Sequence, residues 1–310
     1  MNNADQKSPV IRKPAVAFIG LGTMGGAMLR NLCKRGFDVA GYDIDPATMA
    51  RLSDVSFRTA TSPADAAQGC SVAITMLPTS AHVREALFGE HGAAAALPAG
   101  ALVIEMSTGD AMETDRIAAD LAGMKLRCID APVGRTPREA AQGRALIMAG
   151  GDAADVAEAR PVFEAMADEI VHVGARGMGI RLKLVNNYMS MVGMVLTGEA
   201  LMFAGKLGLD RATAVRVMSN TTAGRGQLLT NFPGKVLAGD ITPDFPLRMG
   251  YKDLRLAMTL AASVGAPLGL GGYAEQMFAL AKSWGRQDQD CTAMLLLLED
   301  VARAGRAEVP

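Results

Sequence analysis

A short apolar run at residues 15–20 (AVAFIG) leads directly into Gly20-Leu21-Gly22-Thr23-Met24-Gly25 and then into a helical pattern, AMLRNLCKRG. Strand, tight turn and helix start thus follow one another without a spacer. The glycines allow the turn and let backbone come close to a pyrophosphate, which the helix N-terminus then stabilises. A second apolar strand, DVAGYD, ends in Asp43 about twenty residues on, where a ribose-binding acid belongs. A carboxylate there accepts both ribose hydroxyls and repels a 2′-phosphate. No Arg follows it (Ile44, Asp45), so the pattern favours NAD over NADP. The plainer alternative is a glycine-rich turn in a nucleotide-free α/β domain.

The alternation continues. Strands are expected over 71–77, 101–106, 125–130 and 144–149, with helices over 79–88 and 111–123. Strands alternating with helices predict an α/β Rossmann fold, a parallel, doubly wound sheet. Ligands of such sheets lie beyond the strand C-termini. That selects three loops: Leu77-Pro78, Ser107-Thr108 and Gly134-Arg135-Thr136. Each also has an ordinary reading, as a strand-ending proline, an N-cap or a surface Arg.

From about 177 to 207 the helical pattern is unbroken, long for a globular helix. Within it Lys183, Asn186, Asn187 and Ser190 fall at i, i+3, i+4 and i+7, a polar stripe flanked by Leu182, Leu184, Val185 and Met189. A protonatable Lys beside neutral hydrogen-bonding groups suits donating a proton to a carbonyl oxygen. An amphipathic helix with its Lys in solvent is the alternative. Gly193, Gly198 and Gly205 suggest close packing against other helices. Helices are expected over 210–219, 228–238, 250–265, 271–284 and 290–304, with no strand among them. The expected domains are a polar lead-in (1–12), a dinucleotide-binding domain (13–175) and an all-α C-terminal domain (176–310) that shares the long helix.

Composition narrows the function. With 310 residues, half of them hydrophobic, and a net charge of −1, the chain is that of a soluble globular protein without an electrostatic footprint for nucleic acid or anionic membrane. The four cysteines have no metal-ligand spacing and read as reduced thiols of a cytoplasmic protein. The three histidines have no recognisable Ser, Cys or Asp partner, which argues against a triad hydrolase and a His-ligated metal site. The apolar run over 189–204, broken by Glu199 and glycines, is too short to span a bilayer.

Taken together, the residues resemble the 3-hydroxyisobutyrate dehydrogenase (β-hydroxyacid dehydrogenase) family over nearly all of the chain after residue 13. The likeness is carried by FIGLGTMG, Met-Leu-Pro at 76–78, Ser-Thr at 107–108, Asp-Ala-Pro-Val at 130–133, GxGxxxKxxNN at 177–187 and Lys-Asp-Leu at 252–254. The resemblance implies that Lys183 is the catalytic acid/base and that Asn187 helps hold the substrate. It implies NAD contacts from Thr23, Met24, Asp43, Leu77, Thr108 and Lys252. One departure stands out: where most members have Ser-Gly-Gly, this chain has Gly134-Arg135-Thr136. An Arg there offers a bidentate fork to an anion with more oxygens than a carboxylate, such as a sulfonate. The Gly-Arg-Thr form resembles members acting on a sulfonated aldehyde, in which Arg135, Thr136, Asn186 and Ser190 would hold the sulfonate. A salt bridge, for instance to Glu139, is the structural alternative for Arg135. The reaction expected is NADH-dependent reduction of a small anionic aldehyde. The rivals are reductases of carboxylate semialdehydes and a non-catalytic dinucleotide-binding protein. An imine reductase of the same fold is disfavoured because those enzymes generally lack this Lys. The long apolar helix and the Leu295–Leu298 run suggest a homodimer or homotetramer.

Overall fold

The computed structural model describes residues 13–304, so the lead-in expected over 1–12 lies outside it. The chain forms two compact units that part between Tyr188 and Met189. The division expected at 175/176 lies just before the long helix, whereas the units part inside it.

In chain order the first unit runs β1 (Val16–Ile19), α1 (Thr23–Lys34), β2 (Val39–Tyr42), α2 (Pro46–Ala50), β3 (Arg58–Thr59), α3 (Pro63–Ala67), β4 (Val72–Thr75) and α4 (Ser80–Phe88). It continues with β5 (Leu102–Glu105), α5 (Ala111–Gly123), β6 (Arg127–Asp130), β7 (Val133–Gly134), α6 (Pro137–Ala141), β8 (Ala145–Gly150), α7 (Ala153–Met166) and β9 (Ala167–Gly174), and leads into α8 (Met178–Lys206). The strands form one nine-stranded sheet in the order β3-β2-β1-β4-β5-β6-β8-β7, with β9 on β8. From β1 the chain winds outward to β2 and β3, then returns to β4 on the other side. That reversal opens a crevice at the C-terminal end of β1.

The strands β1 to β6 are parallel, as the alternating pattern predicts. Beyond Asp130 the expectation needs correcting, because β8 runs antiparallel to both β6 and β7. The link from β7 to β8 (135–144) is shorter than the crossover a parallel pair needs, and β8 pairs parallel again with β9 across α7. The inner strands β1, β4 and β5 are buried along their whole length. Alternate residues pack on opposite faces: Val16 and Phe18 into one apolar cluster, Ala17 and Ile19 into the other.

Among its described residues the second unit is all helical. It holds the rest of α8 and then α9 (Arg211–Ser219), α10 (Thr222–Arg225), α11 (Leu247–Ser263), α12 (Gly269–Ser283) and α13 (Met294–Ala304). The helix expected over 228–238 is absent; turns and one 3₁₀ turn at Val236–Ala238 replace it. Pro233-Gly234 in mid-segment removes a donor and weakens the helix. Packing expected at Gly193, Gly198 and Gly205 is not found among the described residues, where a side chain at each would meet open space. By length and composition α8 is the one described helix able to cross a bilayer. It is longer than the 189–204 run because it takes in the turns around Lys183.

Candidate active site

The crevice at the end of β1 is a cavity of about 750 Å³ walled by the glycine loop, the end of β2 and the Met76–Pro78 turn. Two of its glycines are required by close packing. Gly20 has φ +94°, and a Cβ there would lie 2.2 Å from the Met76 carbonyl oxygen. A Cβ on Gly25 would lie 2.0 Å from the Gly20 oxygen. Gly22 differs, because a side chain there would meet nothing within 4 Å; its smallness keeps space open rather than allowing protein to pack. At the neighbouring N-terminus of α1 no side chain caps the first turn and no acidic residue occupies it. The starts of α4, α5 and α6, by contrast, are capped by Thr79, Asp110 and Thr136. Free N–H groups, a helix dipole and open space beside Gly22 fit a pyrophosphate. Thr23 and Met24, on the first turn of α1, line the same cavity.

Asp43 ends β2 with its carboxylate fixed at both oxygens. Oδ2 accepts the Leu21 N–H at 2.7 Å and Oδ1 the Asp45 N–H at 2.9 Å. The ribose-binding candidate is thereby tied to the glycine loop. Leu77 and Pro78 form the opposite wall, where the Leu77 N–H donates to Ser107 Oγ at 2.9 Å. Thr108 follows Ser107, is exposed, and is not part of this cavity's lining. These residues fit NAD as the resident cofactor. Asp43 would hold the ribose, and Gly22 with the start of α1 the pyrophosphate.

The first turns of α8 are anchored to the sheet by Asp130, at the end of β6. This carboxylate is fully buried and accepts N–H groups from Gly177 at 2.6 Å and Ile180 at 2.7 Å. Burial pushes its pKa up, and the backbone donors pull it back down. The approach is backbone to backbone: a Cβ on Gly179 would lie 2.3 Å from Met148 O, and one on Gly150 2.7 Å from the Gly179 nitrogen. The glycines of the GxGxxxK pattern therefore seat the helix whose second turn carries Lys183. Lys183 and Asn187, one turn apart, are half-buried, while the apolar Leu182, Leu184, Val185 and Tyr188 around them are exposed. Burial lowers the Lys183 pKa below the ordinary Lys value. Asn186 and Ser190, on the same stripe, are exposed.

The remaining candidates are occupied differently. Gly134 is buried in β7. Arg135 sits in the following turn with φ +68°. Its guanidinium pairs with Asp168 and Glu169 on β9 and donates to the Arg144 carbonyl at 2.9 Å. This is a salt bridge of the kind held open as the alternative, made to other partners than Glu139. Thr136 caps α6 in a reciprocal box with Glu139, its hydroxyl donating to Glu139 Oε2 at 2.9 Å. Lys252 belongs to the second unit, on α11, half exposed beside Asp253 at 3.0 Å. Sequence reasoning missed the far wall of the cavity, made by Thr61, Ser62, Pro63, His82, Glu85 and His91. A signal for part of it was present, since Ser62-Pro63 is a cap followed by an N1 proline.

Residues 15–174 match a family model described as the NAD binding domain of 6-phosphogluconate dehydrogenase. Residues 177–298 match one described as NAD-binding of NADP-dependent 3-hydroxyisobutyrate dehydrogenase. The chain is 41% identical over 281 residues to a 3-sulfolactaldehyde reductase of Escherichia coli K12, covering 91% of this chain and 94% of the relative. A solved Mycobacterium tuberculosis 3-hydroxyisobutyrate dehydrogenase with L-serine is 31% identical, with a TM-score of 0.65 and coverage of 93% and 99%. An imine reductase from Myxococcus stipitatus in complex with NAD⁺ superposes at a TM-score of 0.82 over 93% of this chain and all of the other. At 17% identity, that likeness concerns the fold alone.

Proposed function

The chain belongs to the 3-hydroxyisobutyrate dehydrogenase family of NAD-dependent hydroxyacid dehydrogenases, and from that premise we propose that it reduces 3-sulfolactaldehyde to 2,3-dihydroxypropane-1-sulfonate with Lys183 as proton donor. NADH, when bound, supplies the hydride. Lys183 donates a proton to the aldehyde oxygen as negative charge develops there, and Asn187, one turn along, orients the ammonium or the carbonyl oxygen. Asn186 and Ser190 hold the sulfonate from the same stripe, together with Arg135 and Thr136. Lys252 is assigned to the cofactor.

The observation that carries the reading is the inverted burial on α8. Lys183 and Asn187 are half-buried while their apolar neighbours are exposed. A helix whose only task is to cover a core would bury the reverse set. The sulfonate assignment rests on Arg135 in its turn and on the 41% likeness to a protein named for that substrate. The ion pairs of Arg135 with Asp168 and Glu169 favour a second reading, reduction of a carboxylate semialdehyde with Arg135 purely structural. The carboxylate partners are about half exposed, and the sulfonate reading requires Arg135 to exchange at least one of them for the substrate. The homodimer or homotetramer belongs to the same proposal, supported by exposed Met191, Met194, Val195 and Leu196 on α8.

The test is NADH oxidation with 3-sulfolactaldehyde and succinic semialdehyde side by side at matched low concentrations. A large kcat/KM preference for the sulfonate, lost in Arg135→Gly, is expected. Equal or reversed preference would assign the carboxylate substrate and return Arg135 to its ion pairs.

A further inference from the structure

Strands β4, β5 and β6 end side by side, and their register sets Thr75 beside Glu105 and Glu105 beside Asp130. All three are polar, and all three are sealed from solvent, at 0, 2 and 0% exposure. A buried polar row is expensive unless each group is hydrogen-bonded. Thr75 Oγ1 has no hydrogen-bond partner among the described residues. Asp130 is accounted for by its cap on α8. Glu105 has no part in the chemistry described above, yet it occupies the centre of the sheet.

Its own contacts lead toward the cofactor cavity. Glu105 Oε1 accepts the Ser107 N–H at 2.8 Å, and Ser107 Oγ accepts the Leu77 N–H at 2.9 Å. The Leu77 side chain in turn lies against Gly20, where an added Cβ would fall 2.8 Å from it. Two hydrogen bonds and one packing contact therefore link the buried carboxyl to the glycine loop. We propose that Glu105 is a positioning residue for NAD binding, which fixes Ser107 so that the Leu77-Pro78 turn is held in place at the cavity wall. Burial and the neighbouring Asp130 charge push the Glu105 pKa up to about 7, so the residue works against stability at neutral pH. A costly buried group whose hydrogen bonds run to the cavity wall fits a task in binding better than one in folding. The inference concerns cofactor binding and does not depend on which aldehyde is reduced or on the role of Lys183.

The experiment measures NADH affinity by fluorescence titration, and thermal unfolding, in the full chain. The variants are Glu105→Gln, Glu105→Leu, Ser107→Ala and the double Glu105→Leu/Ser107→Ala. Glu105→Gln keeps an oxygen to accept the Ser107 N–H, and its Kd should stay within about threefold of the unaltered protein. Glu105→Leu and Ser107→Ala should each weaken NADH about tenfold. The double variant should be no weaker than either single one, because both act through the same bonds. Glu105→Leu trades the cost of a buried carboxyl against a Ser107 N–H left unpaired, so its loss of NADH affinity should exceed what any change in Tm accounts for. The proposal is overturned if Glu105→Leu binds NADH normally, if the two losses add, or if affinity falls only in step with Tm. Should Glu105→Leu not fold, Glu105→Asp replaces it. Its shorter carboxylate draws back from Ser107, so a Kd that stays normal would overturn the proposal equally.

Discussion

Asp130 and Ile180 lie fifty residues apart, and the Oδ2 of the first accepts the backbone N–H of the second at 2.7 Å. The other oxygen takes the Gly177 N–H at 2.6 Å. One carboxylate at the end of β6 thus satisfies two otherwise unpaired donors at the start of α8, and Lys183 follows within a turn. Replacing Asp130 with Ala leaves two buried N–H groups unpaired, at about 1–3 kcal/mol each, and should lower the stability seen in denaturant unfolding. Asp130→Asn keeps one acceptor oxygen. It should fold, hold NADH normally and lose kcat, because the helix start shifts under Lys183. A loss of NADH affinity without loss of kcat would detach Asp130 from Lys183.

The glycines of the loop should separate cleanly in a second experiment. Gly22→Ala meets open space, so Tm should be unchanged while NADH binding weakens by about tenfold or more, the methyl standing where the pyrophosphate approaches. Gly25→Ala puts a Cβ 2.0 Å from the Gly20 carbonyl oxygen. It should lower stability by about 1–3 kcal/mol, measured by the shift in unfolding midpoint.

Asp43 should set cofactor choice. With both oxygens held by Leu21 and Asp45 N–H groups, the carboxylate cannot swing away from a 2′-phosphate. Asp43→Ser should therefore narrow the preference for NADH over NADPH, read as the ratio of their kcat/KM values. An unchanged ratio would place the discrimination elsewhere on the cavity wall.

Glu105 links stability to pH. Its folded-state pKa stands at about 7 against an ordinary 4.5. The folded chain therefore keeps this proton to higher pH than the unfolded chain does. Its contribution is most favourable below the ordinary value and is lost as pH rises toward 7. Glu105→Gln should flatten that part of the slope, so that its Tm advantage over the unaltered protein is larger at pH 8 than at pH 5.

Much of the first unit is legible because its signals are local. The apolar run before Gly20 and the periodicity of 111–123 place β1 and α5 without reference to anything distant. The direction of β8 is not legible in its own residues, since side-chain alternation is the same for parallel and antiparallel strands; only the short link from β7 to β8 bears on it. The helices α2, α3 and α6 are five residues each, too short for periodicity, though each begins with a cap followed by proline. The site shows the same division. Lys183, Asn187 and Asp43 stand out by type and spacing. Asp130 reads in sequence as part of a motif whose partner lies 47 residues away, and nothing local assigns it to α8. The partners of Arg135 are equally remote, on β9. Glu105 carries a faint signal, a carboxylate inside an otherwise apolar strand.

Proton delivery by Lys183 is tested by the pH profile of aldehyde reduction, with NADH affinity, in the unaltered chain and in Lys183→Ala. Reduction requires the ammonium, so kcat should fall as pH rises through a pKa that burial holds below the ordinary 10.5. Lys183→Ala should lose that limb and about 10²–10⁴-fold in kcat, with NADH Kd within about threefold of the unaltered value. Turnover near the normal rate in Lys183→Ala, or an unchanged alkaline limb, would contradict the assignment.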